Sequence, residues 1–224
     1  MSLKSKLVAG VAAVGLAGGS LALSLPHADA ATQKCGSECQ TLASQKFGAK
    51  NVVSVQGSAV GLAAFWFSNG EDLAGWPVGT VHDYYRAGLI AQSVDKLYGA
   101  DEVFEYEWVP RGIESVRCLG VSALKSGTPV TLQACGASAA TLWIAATGRQ
   151  SGNYMPLINA AASTKWAMAL TASTASGPLS ITWLSLATKV TNGVSTTTVA
   201  PSQMWEAEQG AFGASTEIAV TNGF

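Results

Sequence analysis

Charged residues are scarce in this sequence. Asp, Glu, Lys and Arg make up only 12% of its 224 residues, and no run of basic residues occurs among the small and hydroxylated residues that dominate it. Nucleic acids and anionic membrane surfaces are recognised by clusters of Lys and Arg. We therefore expect no nucleic-acid partner and no anionic membrane partner. The composition is instead typical of an extracellular β-rich protein.

Groups that perform catalysis or bind metals are also few. His82 is the only histidine after residue 30, and no G-x-S-x-G motif occurs. On a strand, the neighbouring Asp83 would point away from His82. The usual motifs for a Ser-His-Asp triad and for a zinc site are therefore missing. We expect no metal and no cofactor, and we interpret His82 as a surface or turn residue.

Carboxylates offer the remaining route to catalysis. Glu105 and Glu107 lie two apart in the alternating segment 102–108, so they would stand roughly 7 Å apart on one face of a strand. That distance falls between the retaining and the inverting glycosidase spacings. Glu206 and Glu208 have the same spacing. A charged strand face turned to solvent is the commoner arrangement, so the sequence predicts a protein that is not an enzyme, with a secreted glycosidase as an outsider.

The first 30 residues have the pattern of a secretory signal peptide. Two lysines precede an apolar stretch at 7–25, and an Ala-x-Ala motif ends at Ala30. We expect cleavage after Ala30, secretion, and no stable membrane insertion of the mature chain. An uncleaved anchor helix is the alternative.

The four cysteines are typical of two disulfides in an exported chain. Cys118 and Cys135 flank the turn KSGT and could close a hairpin across its base. Cys35 and Cys39 are then paired by elimination. Residues 35–48 could be helical, and an i,i+4 disulfide would strain a regular helix because the bond needs close, well-aimed Cβ atoms.

The hairpin at 116–144 is the most informative segment. Strand-like residues at 117–122 and 130–135 are separated by the turn, and Trp143 follows. The segment resembles the repeat of ricin-type β-trefoil lectins, which has a Cys-Leu-Asp-Val strand, a Gly-Thr-Pro-Val strand ending in cysteine, and a Gln-x-Trp close. The matching residues are Cys118-Leu119-Gly120-Val121, Gly127-Thr128-Pro129-Val130, Cys135 and Trp143.

The resemblance implies an all-β, β-trefoil-like fold with three repeats, closed by Trp76, Trp143 and Trp205. These tryptophans are 67 and 62 residues apart, which is longer than the usual repeat, so insertions are required. Trp108 could close an intermediate unit. A β-sandwich with the same number of strands is the alternative fold.

One segment fits two kinds of secondary structure. Apolar residues at 79–99 recur at three- and four-residue steps, which indicates a helix. However, Gly88 interrupts the run, and its surroundings resemble the opening of a ricin-type repeat, so strands are narrowly preferred. Residues 171–177 and 191–202 are predicted to be flexible loops.

The domain boundaries follow from these segments. The sequence predicts a signal peptide at 1–30, an N-terminal segment with a cysteine pair at 31–48, a lectin-like trefoil domain at 49–210, and a C-terminal tail at 211–224.

The resemblance also implies where sugar would bind. Ricin-type sites combine an aspartate, an aromatic ring that stacks on the sugar, and the glutamine of Gln-x-Trp. In the last repeat Trp183 and Gln203 match the ring and the glutamine, and no aspartate is evident. In the first repeat only Trp66 matches, as the ring, while Ser54 and Ala74 replace the other two residues.

The central repeat retains none of the three binding residues. Gly120 replaces the aspartate, Gln133 the ring and Thr141 the glutamine. We therefore predict a secreted, non-catalytic, lectin-like module whose candidate site residues are Trp183, Gln203 and Trp66, with a glycan as its partner. The alternative is a secreted structural or interaction protein that keeps the fold and has lost sugar binding.

Overall fold

The computed structural model describes residues 39–57, 59–64, 71–110, 115–136, 138–161, 167–192 and 194–209. The strands are β1 (Cys39–Ser44), β2 (Gly48–Gln56), β3 (Ala59–Ala64), β4 (Glu71–Thr80), β5 (Glu102–Pro110), β6 (Arg117–Val121), β7 (Thr128–Ala134), β8 (Leu142–Ala145), β9 (Met155–Asn159), β10 (Met168–Ala172), β11 (Leu179–Trp183), β12 (Leu186–Thr191), β13 (Val194–Val199) and β14 (Met204–Gln209). The helices are α1 (Val81–Arg86) and α2 (Gln92–Tyr98).

Six strands form a closed barrel. They pair in the order β1-β14-β9-β8-β5-β4, and a further antiparallel pairing between β4 and β1 closes the ring. A barrel closed in this way leaves no free edge among its own strands. The closed ring excludes the alternative β-sandwich.

Three hairpins cover one end of the barrel. They are β2–β3, β6–β7 and β10–β11, and β7 pairs with both β3 and β11. Each repeat is therefore a barrel strand, a hairpin and a second barrel strand. The first repeat runs from β1 to β4, the second from β5 to β8 and the third from β9 to β14. Three such units around a six-stranded barrel are a β-trefoil, so the predicted fold is confirmed.

The closing tryptophans join the barrel to its hairpins. Trp143 Nε1 donates a hydrogen bond to the Leu119 carbonyl and Trp205 Nε1 donates to the Leu170 carbonyl, each at 2.9 Å. Both indoles are fully buried in the main core. The hydrogen bond satisfies the polar atom that each large ring carries into the apolar interior. Trp76 lies in β4, and its side chain is outside the described part of the chain.

Two insertions explain the long spacing between these tryptophans. Helices α1 and α2 separate the first repeat from the second, and hairpin β12–β13 lies inside the third. Trp108 lies on β5, the strand that opens the second repeat, so it does not close an intermediate unit.

The narrow preference for strands at 79–99 was wrong, because this region forms α1 and α2. Thr80 caps α1 by accepting from the Asp83 amide, and the Asp83 carboxylate accepts in return from the Thr80 amide. This reciprocal pair is a capping box. Val81, Ile90 and Val94 then pack on the outside of the barrel in a second apolar cluster with Ile144 and Ile158. The helical periodicity predicted this correctly, and the resemblance did not.

The trefoil begins before the predicted boundary at residue 49. Strand β1, at Cys39–Ser44, pairs with β2, β4 and β14, so it is a barrel strand. Cys39 thus starts a strand and not a helix. Its predicted bond to Cys35 lies outside the described residues, as do the signal peptide, Trp66 and the tail at 211–224.

The predicted bond between Cys118 and Cys135 is present, with the two Cα atoms 5.0 Å apart. It joins the start of β6 to the residue after β7, at the open end of the central hairpin. Within the described ranges, no helix is long and apolar enough to span a membrane.

Candidate functional site

Equivalent positions in the three repeats can be assigned from the tryptophan bonds. Leu119 and Leu170 accept the two indole bonds, so they are equivalent, and the following residues Gly120 and Thr171 are equivalent too. Gly120 stands where ricin-type repeats carry the aspartate. Thr171 therefore occupies that position in the third repeat, which the sequence alone left unassigned.

The sugar-site position of the second repeat is filled by protein atoms. A Cβ atom placed on Gly120 would lie 3.0 Å from the Thr141 methyl carbon and 3.2 Å from Cγ of Gln133. The Thr141 hydroxyl is buried and donates to the Glu105 carboxylate at 2.9 Å. A side chain at Gly120 would therefore require Thr141 and Gln133 to move, and glycine itself carries no acceptor that could bind a sugar.

Gln203 closes the equivalent position of the third repeat. Its side chain is 1% exposed. Its Oε1 accepts from the Ser185 amide at 2.7 Å, and its Nε2 donates to the Trp183 carbonyl at 2.8 Å and to the Thr182 hydroxyl at 2.9 Å. Thr171 and Thr182 share a further hydrogen bond of 2.7 Å. The sequence analysis predicted that Gln203 offers its amide to a ligand. In the structure these polar atoms bond one another instead.

Trp183 does not occupy the position of the stacking ring. Cys118 pairs with Gln133 across the second hairpin, and Ala169 pairs with Thr182 across the third, so Thr182 is the equivalent of Gln133. Trp183 is one residue further on and points to the opposite face of the strand. Its side chain is nevertheless 46% exposed, which is unusual for a ring of this size in a β protein.

Gln203 connects Trp183 to the inserted hairpin. Its amide bonds the carbonyl of Trp183 and the N–H of Ser185, on either side of Leu184. Ser185 in turn accepts from the Ala200 amide at 2.9 Å, which closes the base of the hairpin. Gln203 is therefore a positioning residue for both the exposed indole and the insertion.

The hairpin β12–β13 is exposed on both faces. Of the β13 residues only Val199 is buried, while Val190 and Val194 are each 65% exposed. Its strands pair with each other and with no other described strand. The prediction of a flexible loop at 191–202 was wrong, because Val194–Val199 form strand β13. The signal that would have found the hairpin is Asn192-Gly193, the preferred pair for a two-residue hairpin turn, and Asn192 has a φ of 52°.

The first repeat keeps a more open position. Ser54, the equivalent of Gly120, lines a cavity of about 340 Å³ with Gly61 and Gly177. The amide of Leu62 bonds the carbonyl of Gly177 at 3.0 Å, which fixes the wall between the first and third repeats. A Cβ atom on Gly61 would lie 2.8 Å from that carbonyl oxygen, so only glycine fits there.

Glu105 and Glu107 are fully buried, which contradicts the solvent-facing strand expected from the sequence. Glu105 accepts from the Gly136 amide at 2.6 Å, and Glu107 accepts from the amides of Ser115 and Val116 at 2.9 and 2.6 Å. Both carboxylates hold loop backbone in place, and neither is accessible to a glycan. The Glu105 carboxylate lies near the sulfur atoms of Cys118 and Cys135, but these sulfurs are bonded to each other.

His82 is paired with an aspartate on the other helix of the insertion. Its Nδ1 lies 3.0 Å from Oδ1 of Asp95 on α2, while Asp83 is engaged in capping α1. The His82 side chain is exposed. Among the residues described, no serine or cysteine hydrogen-bonds to His82, so this pair links the two helices and forms no nucleophile–base arrangement.

Comparisons with known proteins are limited to the fold. No protein-family model matches this chain, and no curated protein sequence matches it. Among solved structures it is similar to a designed three-fold symmetric protein, ThreeFoil, with 11% identity and a TM-score of 0.48 over 76% of this chain and 97% of that chain. The assignment of the β-trefoil therefore rests on the strand pairing of this chain itself.

Proposed function

We propose that this protein is a non-catalytic carbohydrate-binding module that uses an exposed surface in its third repeat. We call it the Trp183 surface, and it consists of the Trp183 indole and the exposed residues of hairpin β12–β13. The observation that carries the proposal is a half-exposed indole at the foot of an exposed, hydroxyl-rich insertion.

The chemistry of this surface fits a neutral glycan. A sugar has an apolar C–H face and a rim of hydroxyls, so it is bound by an aromatic ring together with donors and acceptors. The hairpin supplies exposed threonines such as Thr188 and Thr197, whose hydroxyls lie 3.3 Å apart. Lys189 is its only charged residue.

The affinity should be weak. No described carboxylate takes the place of the family's aspartate at the Trp183 surface, and a hydrogen bond to a charged group contributes about 1.5–3 kcal/mol. A monosaccharide should therefore bind in roughly the millimolar range. A polysaccharide that repeats the same sugar would be held more tightly through many weak contacts.

A glycan array followed by calorimetry on the best glycan tests the proposal. Trp183→Ala should abolish binding and leave cooperative thermal unfolding intact, because much of the indole is already in solvent. Leu97→Ala is the control, since Leu97 is 60% exposed on α2 and lies outside the Trp183 surface. Unchanged binding by Trp183→Ala would contradict the proposal and direct attention to the first repeat, at Ser54 and Trp66.

A second candidate function is a structural or interaction protein that has lost sugar binding. The closed positions at Gly120 and at Thr171 favour it, because the trefoil sites of two repeats are filled by their own side chains. An intact protein that binds no plant, animal or bacterial wall glycan would support this second function over the first.

Secretion is part of both proposals. It is supported by the signal-peptide pattern that ends at Ala30 and by the disulfide between Cys118 and Cys135. N-terminal sequencing of protein recovered from culture medium should begin at Ala31. Recovery of the uncut chain in the membrane fraction would contradict it.

A further inference from the structure

We infer that the outer edge of strand β13 pairs with the same edge of a second copy of this chain, forming an antiparallel dimer. The edge is exposed, since residues 194–198 are all solvent-facing. Among described strands, β13 pairs only with β12. An isolated two-stranded hairpin is marginally stable in water, so a further strand would stabilise this one.

The hairpin register shows which backbone groups are available. Thr191 and Val194 flank the two-residue turn and pair directly, so they exchange hydrogen bonds. Hydrogen-bonded and non-hydrogen-bonded pairs alternate along an antiparallel ladder. Ser195, Thr197 and Val199 are therefore in non-hydrogen-bonded pairs, and their N–H and C=O groups point away from β12 toward the free edge.

The β13 edge has none of the features that usually block edge pairing. Such features are charged residues, prolines and bulges. Strand β13 reads VSTTTV, which is uncharged and lacks proline, and its register with β12 is uninterrupted. Five of its six residues are β-branched, as strands prefer. In contrast, the other edge belongs to β12, which carries Lys189.

A second copy of the chain is the occupant that this edge fits. A two-fold axis at Thr197 would pair Thr197 with its counterpart and Ser195 with the partner's Val199, giving about six backbone hydrogen bonds. The pairing is isologous, and its lack of charge means that two identical edges do not repel each other. Six-residue strands bury less than the roughly 1,000 Å² of a stable interface, so the dimer should dissociate on dilution.

Dimerisation would place two Trp183 surfaces in one particle. This consequence rests on the proposed function, because it would give bivalent binding to a repeating glycan. The dimer itself does not depend on that function, and its mass can be measured without any glycan. Failure of the dimer and failure of sugar binding are therefore distinguishable.

Sedimentation velocity over a dilution series of the disulfide-intact mature protein tests the inference. Wild type should show a mass that doubles at high concentration. Thr197→Pro removes one outward N–H and should leave a monomer at every concentration. Thr188→Pro is the matched control. Thr188 faces Thr197 across the hairpin, so both variants lose the same contact between the two hydroxyls. The N–H that Thr188→Pro removes is on the β12 edge. This variant should dimerise as wild type does.

Each other outcome contradicts the inference. A wild-type protein that is monomeric throughout overturns it, and so does a dimer that survives Thr197→Pro. Loss of the dimer in both proline variants would assign it to a face of the hairpin and not to the β13 edge. If Thr197→Pro fails to unfold cooperatively, Thr197→Lys at the same position replaces it, and the dimer must again be lost. A dimer that appears only after removal of 210–224 would show that the tail occupies the edge.

Discussion

The two insertions of this trefoil are anchored in different ways. The helical insertion consists of α1, α2 and the turn between them, and it contributes Val81, Ile90 and Val94 to a second apolar cluster on the outside of the barrel. Hairpin β12–β13 buries only Val199 among its β13 residues and is held at its base by Gln203 and Ser185. The helical insertion therefore extends the core, whereas the hairpin presents its residues to solvent.

This difference indicates where binding should be sought. Single exposed apolar side chains are common, whereas a group of them in one region often marks an interaction site. The hairpin and its foot combine several of them: Trp183, Leu186, Val190 and Val194. The helical insertion has two, Leu89 and Leu97. We therefore expect substitutions in the helices to change stability and substitutions in the hairpin to change binding.

The largest expected effect is in the helical insertion. Ile90→Ala removes a side chain that is 3% exposed, leaving a cavity beside the barrel. We expect the free energy of unfolding to fall by about 2–4 kcal/mol, measured by urea denaturation. The adjacent Leu89 is 48% exposed and provides the control. Leu89→Ala should change the free energy of unfolding by less than about 0.5 kcal/mol. Equal losses in both variants would mean that the helices do not share the core.

Gln203→Ala should have the next largest effect and act at the base of the hairpin. It removes a buried side chain that accepts from the Ser185 amide and donates to the Trp183 carbonyl, two partly buried hydrogen bonds. We expect a loss of roughly 1–3 kcal/mol of unfolding free energy. Hydrogen exchange of the Ser185 amide should also accelerate.

The control for this variant is the exposed Gln150, whose side chain bonds the nearby Gly152 carbonyl. Gln150→Ala should leave stability within about 0.5 kcal/mol of wild type. If Gln203→Ala were equally stable, Gln203 would not be needed to hold the base of the hairpin.

A pH effect should distinguish the helical insertion further. Burial, together with the nearby Glu105 carboxylate, raises the pKa of Tyr84 to about 12 from the usual 10.0. The unfolded protein then loses this proton before the folded protein does. The stability contribution is complete below pH 10 and is lost as the pH rises toward 12, by about 1–2 kcal/mol.

Tyr84→Phe isolates this contribution. Burial also raises the pKa of Tyr106, so both proteins lose some stability in alkali. Melting temperatures between pH 8 and about pH 11 should fall less steeply for Tyr84→Phe than for wild type. Identical slopes would contradict the burial of Tyr84 between α1 and the barrel.

The smallest expected change in stability is at Val116, which lies outside both insertions. Val116 has a φ of 53°, a backbone conformation that a β-branched residue rarely adopts. Val116→Gly should relieve that strain and raise the free energy of unfolding by about 0.5–1 kcal/mol, despite the greater freedom of glycine in the unfolded chain. Val194 is an exposed strand residue without positive φ, so Val194→Gly should lower the free energy of unfolding. If both variants were less stable than wild type, Val116 would not be strained.

The sequence was sufficient for the trefoil core and for one disulfide. Alternation and turn residues located the central hairpin around Cys118 and Cys135, because short-range patterns determine hairpins. The tryptophan spacing also required insertions. It did not reveal their structure, since a resemblance to strands at 79–99 competed with a helical periodicity that proved correct.

The candidate site was harder to predict for a physical reason. Gln203 hydrogen-bonds the Trp183 carbonyl, but a one-residue difference in register turns the Trp183 ring away from the ring position of ricin-type repeats. Register depends on pairing with a distant strand, and sequence spacing does not report it. The burial of Glu105 and Glu107 depends in the same way on loops that close over β5.

We expect the Trp183 surface, and not a trefoil pocket, to contact the glycan. An NMR titration of ¹⁵N-labelled protein with the best glycan from the array tests this directly. The resonances of the Trp183 indole and of the amides of 186–198 should shift with one binding constant, while those of Gly120, Thr171 and Gln203 should not shift. Shifts confined to Gly120 and Thr141, or to Ser54 and Gly61, with Trp183 unchanged, would contradict it.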